Sequence, residues 1–382
     1  MERIWTKSFI QMTLSMLMLF MGFYLLLPTL PLFIKEIGGN EAQIGAAAGA
    51  FTITAVLFRP LVGGLLDRYG RRPFMLGGFL VFILSMYLYD WVGGLLSLFA
   101  LRVLHGASWA FTTTAVSTSV TDVIPESRRG EGMGWFGMAM TLAMATGPML
   151  GVWMLDNGSF HALFLAATGL SVVAFLLVAP VRIPFQPKKA GGKIEMFDKS
   201  VLPVTVCLFF LAVAYGGITT FLPLFSESIQ VNPGTFFLVY AISLTLVRPI
   251  AGKLSDRIGE RYVIVPALIV TILSLVILSF AGGLLSVMIA AVLYGIGFGA
   301  AQPALQVLNL RLVPPHKKGV ANASFMTAFD LGIGLGAIIL GWVSQLMGYS
   351  VLFAVCAASV AVSVLLFIIM QSLKSGKQKQ AG

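Results

Sequence analysis

Ionisable side chains that could move protons or bind a polar ligand lie within long apolar stretches of the sequence: Arg102, His105 and Asp330. A charge inside a membrane span costs at least about 2.5 kcal/mol, so an ionisable residue there indicates a function by default. A carboxyl group that is neutral or charged according to water access can carry a proton. We therefore predict that Asp330 carries protons. The alternative is a protonated carboxyl that hydrogen-bonds backbone at a glycine-rich helix crossing.

The two basic candidates are separated by one helical turn in the same stretch. Arg102 lies about seven residues from the outer end of its stretch, so the alternative to a function is snorkelling of the guanidinium towards water. His105 is predicted either to titrate or to stay neutral as a hydrogen-bonded packing residue. Both alternatives remain open at the level of the sequence.

The composition requires a lipid solvent for these stretches. The chain has 382 residues, 58% of them hydrophobic and 10% charged. Soluble domains have roughly 45 to 50% hydrophobic and about 25% charged residues. So few charges cannot coat a soluble core of this size. Twelve apolar runs, each near the roughly 20 residues that a bilayer-crossing helix needs, predict twelve transmembrane helices.

The basic residues indicate orientation rather than nucleic-acid binding, although the formal net charge is +10. With the amino terminus inside, 23 of the 25 lysines and arginines fall in cytoplasmic segments or adjoining span ends. Lys35 and Arg102 are the exceptions. We predict a multi-pass protein of the cell (inner) membrane with both termini cytoplasmic. The first span is longer than a signal-peptide core and no cleavage site follows it, so we expect no cleavage.

An internal repeat divides the chain. When position 59 is aligned with position 248, positions 59–72 fall on positions 248–261 and eight of the fourteen pairs are identical. We call this fixed, gapless correspondence the repeat alignment. The polar, proline- and glycine-containing stretch between the repeats reads as a linker. We predict an all-α membrane protein of 12 helices in two pseudo-symmetric six-helix bundles, residues 1–181 and 200–382, joined by a cytoplasmic linker, 182–199. Such repeats are typical of secondary transporters.

Residues 63–72, G-G-L-L-D-R-Y-G-R-R, join the second and third spans and resemble the signature loop of the major facilitator superfamily. With twelve spans, a central linker and a second copy at residues 252–261, the resemblance covers nearly the whole chain. It implies a cytoplasmic latch in which the loop carboxylate meets the amino end of a helix of the other bundle. The residues assigned to this latch are Gly63, Asp67, Arg68, Gly70, Arg71, Asp122, Asp256 and Arg257.

The resemblance also assigns roles on the fourth and fifth spans. Arg102 matches a buried arginine that the family associates with proton coupling in drug antiporters, and His105 stands where glutamine is usual. Gly147, Pro148 and Gly151 match the core of the fifth-helix antiporter motif, although Ala143 and Val152 replace two of its glycines. The alternative for that motif is a Gly-Pro kink used for packing. The acidic Asp122 of the latch repeats as Arg311, so we expect the relay not to be duplicated and the second latch to be weaker or differently paired.

In the family the first, fourth, seventh and tenth helices line a central cavity. Packing alone is an equally good explanation for each polar residue that these helices supply. The polar candidates for substrate contact are Tyr24, Thr112, Tyr215, Gln302, Gln306 and Asn309, with aromatic wall from Phe20, Phe23 and Phe298.

These features predict a secondary active transporter that works by alternating access, exporting a small amphipathic molecule in exchange for protons. The alternatives are a proton-coupled nutrient importer on the same scaffold and, less favoured, a passive channel or membrane enzyme. There is no P-loop and no H-E-x-x-H, so we expect no enzyme activity, no cofactor and no metal site. The expected partners are the substrate, protons and the bilayer, with no nucleic acid, and we expect a monomer.

Overall fold

The computed structural model describes residues 4–125, 129–183, 198–313 and 318–380. Side chains at 60, 63–64, 67–68, 129–131, 134, 253, 256, 318–319, 322–323 and 373–380 are not among the described ones. The described residues form helices and no strand. The helices are α1 Lys7–Glu36, α2 Glu41–Tyr69, α3 Arg71–Leu88, α4 Leu95–Val123, α5 Arg129–Asp156, α6 Phe160–Val178, α7 Leu202–Ser228, α8 Pro233–Ile258, α9 Arg261–Ser279, α10 Leu284–Arg311 and α11 Lys318–Gln380.

Eleven of the described helices are long and apolar enough to cross a membrane. The last, α11, has 63 residues and is broken at Gly348, whose φ of 82° is non-helical. A glycine tolerates this left-handed conformation because it has no Cβ. The two parts of α11 therefore supply two of the predicted spans. The all-helical membrane fold predicted from the sequence is confirmed.

The chain forms two compact units. The first comprises Met1–Gly39 and Ala50–Lys193, and the second comprises Asn40–Gly49 and Ile194–Gly382. In the first unit α1 packs on α5 and α6, and α3 packs on α4. In the second unit α7 packs on α11, and α10 packs on α8 and α9. Most of the predicted linker, residues 184–197, lies outside the described residues.

The first turns of α2, which the sequence places in the bundle 1–181, group with the second unit because they pack on α11. The Tyr349 hydroxyl donates to Glu41 Oε1 at 3.2 Å, and the Ala42 amide donates to Gln345 Oε1 at 3.3 Å. A Cβ added to Gly341 would lie 3.3 Å from the Gly45 Cα. Side chains larger than hydrogen at this crossing would separate the two helices.

The repeat reappears in the packing of small residues. A Cβ on Gly106 would meet the Phe51 carbonyl, and a Cβ on Gly295 would lie 2.8 Å from the Tyr240 carbonyl oxygen. In the repeat alignment Gly106 corresponds to Gly295, and Phe51 corresponds to Tyr240. The two halves thus use one helix crossing twice, between α2 and α4 and between α8 and α10.

We expect Gly106→Ala and Gly295→Ala to lower the thermal unfolding temperature of the purified protein, because each added methyl meets backbone. Overpacking of this kind costs about 1–3 kcal/mol. Gly77→Ala and Gly169→Ala are matched controls within helices, since a Cβ there meets nothing within 4 Å. Equal unfolding temperatures for the two pairs of variants would contradict the assigned crossing.

Candidate functional site

The guanidinium of Arg102 is buried in α4, and the residue is only 5% exposed. Its Nη1 donates a hydrogen bond to the Tyr89 hydroxyl at 3.3 Å. Its Cζ lies 4.5 Å from the centroid of the Phe51 ring, in a cation–π arrangement. The described contacts therefore hold the charge inside the first unit and do not extend it towards water, as snorkelling would require.

His105 lies one turn further along α4 and is completely buried. Its Nδ1 is 2.9 Å from the same Tyr89 hydroxyl. Three phenyl rings surround the imidazole edge-on, with centroid distances of 4.8 Å for Phe51, 5.0 Å for Phe82 and 6.0 Å for Phe23. Nε2 has no hydrogen-bond partner among the described residues. The imidazole thus has one polar neighbour and an otherwise aromatic environment.

Tyr89 is the residue that sequence reasoning missed. It lies in the 3₁₀ turn Tyr89–Trp91 that follows α3, and it is fully buried. Its ring stacks on Phe164 at 5.6 Å, which fixes the direction of the hydroxyl. The sequence signal was weak, since a tyrosine at the end of an apolar span is ordinary at a membrane interface. The fold makes it the common partner of Arg102 and His105.

The aromatic wall of the first unit is continuous with this polar group. Phe23 stacks on Trp109 at 4.4 Å and on Phe51 at 5.2 Å, and Phe20 packs on Trp109 at 4.7 Å. Phe20 and Phe23 are half-buried, whereas Trp109 is buried. The half-buried aromatic rings of α1 are thus connected, through Trp109 and Phe51, to the buried charge of Arg102 in α4.

The remaining candidates of the first unit pack helices together. The Thr112 hydroxyl donates to the Ser108 carbonyl at 2.8 Å, and a Cβ on Gly78 of α3 would meet its oxygen at 2.8 Å. This position between α3 and α4 argues against a cavity role for Thr112. A Cβ on Gly147 would meet Tyr24.

The core of the fifth-helix motif brings α5 against α1. A Cβ added to Gly151 would meet the carbonyl of Leu25 in α1. Leu25 follows Tyr24, which a Cβ added to Gly147 would meet. Pro148 lies inside the helix between these two glycines. The contacts favour the packing interpretation of this motif.

In the second unit an aromatic stack joins α7, α10 and α11. Tyr215 stacks on Phe298 at 4.8 Å and on Phe329 at 5.6 Å. Asp330 follows Phe329 in α11 and is half-buried. A Cβ on Gly332 would lie 2.5 Å from the Phe209 carbonyl oxygen, so the carboxyl group is near a tight crossing with α7.

The polar candidates of α10 have different roles. Gln302 Oε1 accepts from Arg248 Nη2 at 3.4 Å, so this side chain orients a cation of α8. Asn309 is buried and its amide donates to the Ala321 carbonyl at 2.8 Å, which ties α10 to α11. Gln306 lies between these two residues in the sequence, and its side chain is half-buried. Gln302 and Gln306 remain the better candidates for substrate contact.

The latch loops carry salt bridges in both halves. Arg71 Nε lies 2.6 Å from Asp122 Oδ2 in the first unit. Arg311 Nη1 lies 2.5 Å from Glu260 Oε1 in the second. In the repeat alignment, Arg71 maps onto Glu260 and Asp122 maps onto Arg311. The second latch is therefore differently paired, one of the two alternatives that the sequence left open: it has the corresponding salt bridge with the two charges exchanged.

The turn before each salt bridge also repeats. Gly70 and Gly259 have φ values of 89° and 94°, a left-handed conformation that favours glycine. Arg257 is exposed. The side chains of Asp67, Arg68 and Asp256 and the packing of Gly63 lie outside the described residues, so their part in the latch remains a prediction.

Two matches to one sequence family decide the assignment of the chain. The sequence profile of the Major Facilitator Superfamily matches residues 12–246 and again residues 204–381. The chain belongs to the Major Facilitator Superfamily. It is therefore a multi-pass membrane transporter of small substrates and not an enzyme.

Relatives in this superfamily match over almost their full length. The staphylopine export protein of Staphylococcus aureus (strain Mu50) is 26% identical, over 98% of this chain and 97% of the relative. The multidrug resistance protein MdtG of Escherichia coli O1:K1 is 28% identical, over 93% and 92%. The multi-drug resistance efflux pump PmrA of Streptococcus pneumoniae serotype 4 is 25% identical, over 90% and 91%.

Solved structures of other transporters share the fold. A POT family transporter in complex with a thioalcohol-conjugated peptide superposes with a TM-score of 0.78 at 12% identity, covering 96% of each chain. The nucleoside transporter NupG superposes with a TM-score of 0.71 at 17% identity, covering 96% of this chain and 99% of NupG. At these identities the likeness extends to the fold alone.

Proposed function

We propose that this chain exports a small amphipathic molecule, a drug or a metabolite, in exchange for protons that flow inward. The observation that carries the proposal is the nearly full-length similarity to relatives named for export, efflux or multidrug resistance, at 90 to 98% coverage of this chain. A half-open aromatic wall that leads to few polar groups suits an amphipathic solute.

Proton coupling is assigned to Asp330, Arg102 and His105. Each is an ionisable residue of an apolar helix, and Arg102 and His105 share a partner in the first unit. At a total driving force of about 150 mV, one proton supplies about 3.5 kcal/mol, which sustains roughly a 300-fold gradient. One proton per cycle is therefore enough for useful export.

The substrate is best found by a thermal-shift screen of the purified protein with drugs, sugars and metal-chelating metabolites. The function is then tested by the sign of substrate flux in proteoliposomes under an imposed pH gradient. Export predicts substrate movement opposite to the protons. Movement with the protons would identify an importer, and flux that ignores the gradient would identify a passive pathway.

We also propose that the protein is a monomer of the cell membrane with both termini in the cytoplasm. A cysteine replacing Asn157, in the loop after α5, should react with an impermeant thiol reagent in intact cells. A cysteine replacing Ser200, before α7, should react only after permeabilisation. The unsubstituted chain is the control, because Cys207 and Cys356 are buried. The reverse labelling pattern would overturn the orientation.

A further inference from the structure

We infer that Tyr89 is a positioning residue for proton coupling: its hydroxyl joins Arg102 to His105, so that a proton taken up by His105 releases Arg102. The inference rests on the proposed proton-coupled export. It starts from one buried oxygen within hydrogen-bond distance of two ionisable side chains, Arg102 Nη1 at 3.3 Å and His105 Nδ1 at 2.9 Å.

The hydrogen count at this oxygen favours one arrangement of the neutral state. A guanidinium can only donate, so Arg102 uses a lone pair of the Tyr89 oxygen. The Tyr89 hydrogen can then point at His105 Nδ1, which places the imidazole hydrogen on Nε2. The opposite tautomer would leave the Tyr89 hydrogen without an acceptor among the described contacts. The surrounding phenyl rings tolerate an N–H group better than a bare lone pair.

Protonation of His105 changes the donor count. Both imidazole nitrogens then carry hydrogen, so the Tyr89 oxygen would have to accept from two cations while its own hydrogen loses its acceptor. The two positive charges would be separated by one hydroxyl in a buried, aromatic environment, where charge repulsion is strong. One of the two hydrogen bonds must therefore break.

No acidic side chain is among the described contacts of His105, so the positive charge of a protonated imidazole would have no counterion there. The rings that α1, α2 and α3 present to it belong to Phe23, Phe51 and Phe82, none of which titrates. Among the described contacts, the ionisable groups of this cluster are Tyr89 and Arg102. The repulsion is therefore relieved by movement of Arg102 away from Tyr89. The protonation of His105 is the local charge change, and it selects between two positions of the Arg102 side chain.

The test is histidine-selective ¹⁵N NMR of the purified protein, because the chain has three histidines and His105→Gln identifies the signal of interest. Neutral His105 should carry its hydrogen on Nε2. Tyr89→Phe keeps the ring and removes the hydroxyl, so it should abolish this tautomer preference and shift the pH at which His105 titrates. Tyr87→Phe, which removes a hydroxyl from an exposed side chain near the end of α3, should change neither.

An Nδ1-protonated imidazole in the unsubstituted protein, or His105 signals that Tyr89→Phe leaves unchanged, would overturn the inference. If Tyr89→Phe does not fold, Arg102→Lys decides, because a point charge on a flexible stem should also shift the pH of His105 titration. An unchanged titration in Arg102→Lys would likewise contradict the link. These measurements need no substrate, so their failure is distinguishable from a failure of the export proposal.

Discussion

Asp330→Asn is expected to abolish uphill transport while substrate binding and exchange down a substrate gradient persist. Asparagine keeps the volume of the side chain but cannot release a proton, so the coupling cycle loses its carboxyl proton site. The pH dependence of substrate binding should disappear with it. The measurement compares proton-driven uptake and substrate counterflow in proteoliposomes, and we expect a loss of more than about tenfold, or 1.4 kcal/mol, in the first assay only.

Two matched variants make the Asp330 result interpretable. Asp330→Glu keeps an ionisable carboxyl and should retain part of the driven transport. Asp156→Asn removes an exposed carboxylate at the end of α5 and should leave driven transport unchanged. Driven flux at the unsubstituted rate in Asp330→Asn would assign this residue to the packing of α11 on α7. His105, which already takes up a proton in the Tyr89 inference, would then be the remaining proposed proton carrier.

The second large effect is expected at the charge-exchanged latch pair. Glu260→Arg places two guanidinium groups together, and transport should fall strongly because the α8–α9 loop loses its contact with α10. Exposed ion pairs contribute about 0–1 kcal/mol. The Glu260 side chain is only 10% exposed, so we expect a coupling energy of about 1–2 kcal/mol, discounted for the exposure of Arg311.

The decisive variant is the double exchange Glu260→Arg with Arg311→Glu. It gives the second loop the polarity that Arg71 and Asp122 have in the first, so transport and thermal stability should recover together. Exchange of Arg71 and Asp122 for each other is the mirror-image control. If the double variant is as inactive as Glu260→Arg alone, the salt bridge is not what the loop requires.

The Glu260–Arg311 salt bridge also bears on the loop carboxylates Asp67 and Asp256. The absence of an acidic partner at Arg311 would make Asp256→Asn milder than Asp67→Asn. Glu260 supplies that acidic partner, so the reason for an asymmetry is removed. Asp67→Asn and Asp256→Asn are now expected to reduce transport to a similar extent, with folding intact in both.

The repeat made much of the fold predictable. Each half packs a glycine of one helix against the backbone of another. The repeat alignment pairs Gly106 and its contact Phe51 with Gly295 and its contact Tyr240. The Glu260–Arg311 salt bridge was not predicted, because residue identity alone shows only a mismatch at each of these two positions. Both members change sign together, and a paired exchange of this kind is a readable signal.

The contacts of the polar group in α4 were beyond the sequence. Arg102 and His105 were identifiable, because charge is costly in an apolar helix. Tyr89 was not, since its approach depends on the angle at which α3 meets α4. The cavity assignments of Thr112 and Asn309 depended on helix rotation, and a helix that is apolar all round gives little indication of its inward face. The fold alone decides these orientations.

The most direct test of the central claim is flux in proteoliposomes that contain the purified protein, a substrate from the thermal-shift screen and a pH-sensitive dye. With an imposed pH gradient, substrate should accumulate in the compartment from which protons leave, and Asp330→Asn vesicles should show neither movement. Substrate that moves in the same direction as the protons, or that only equilibrates without proton movement, would contradict proton-coupled export.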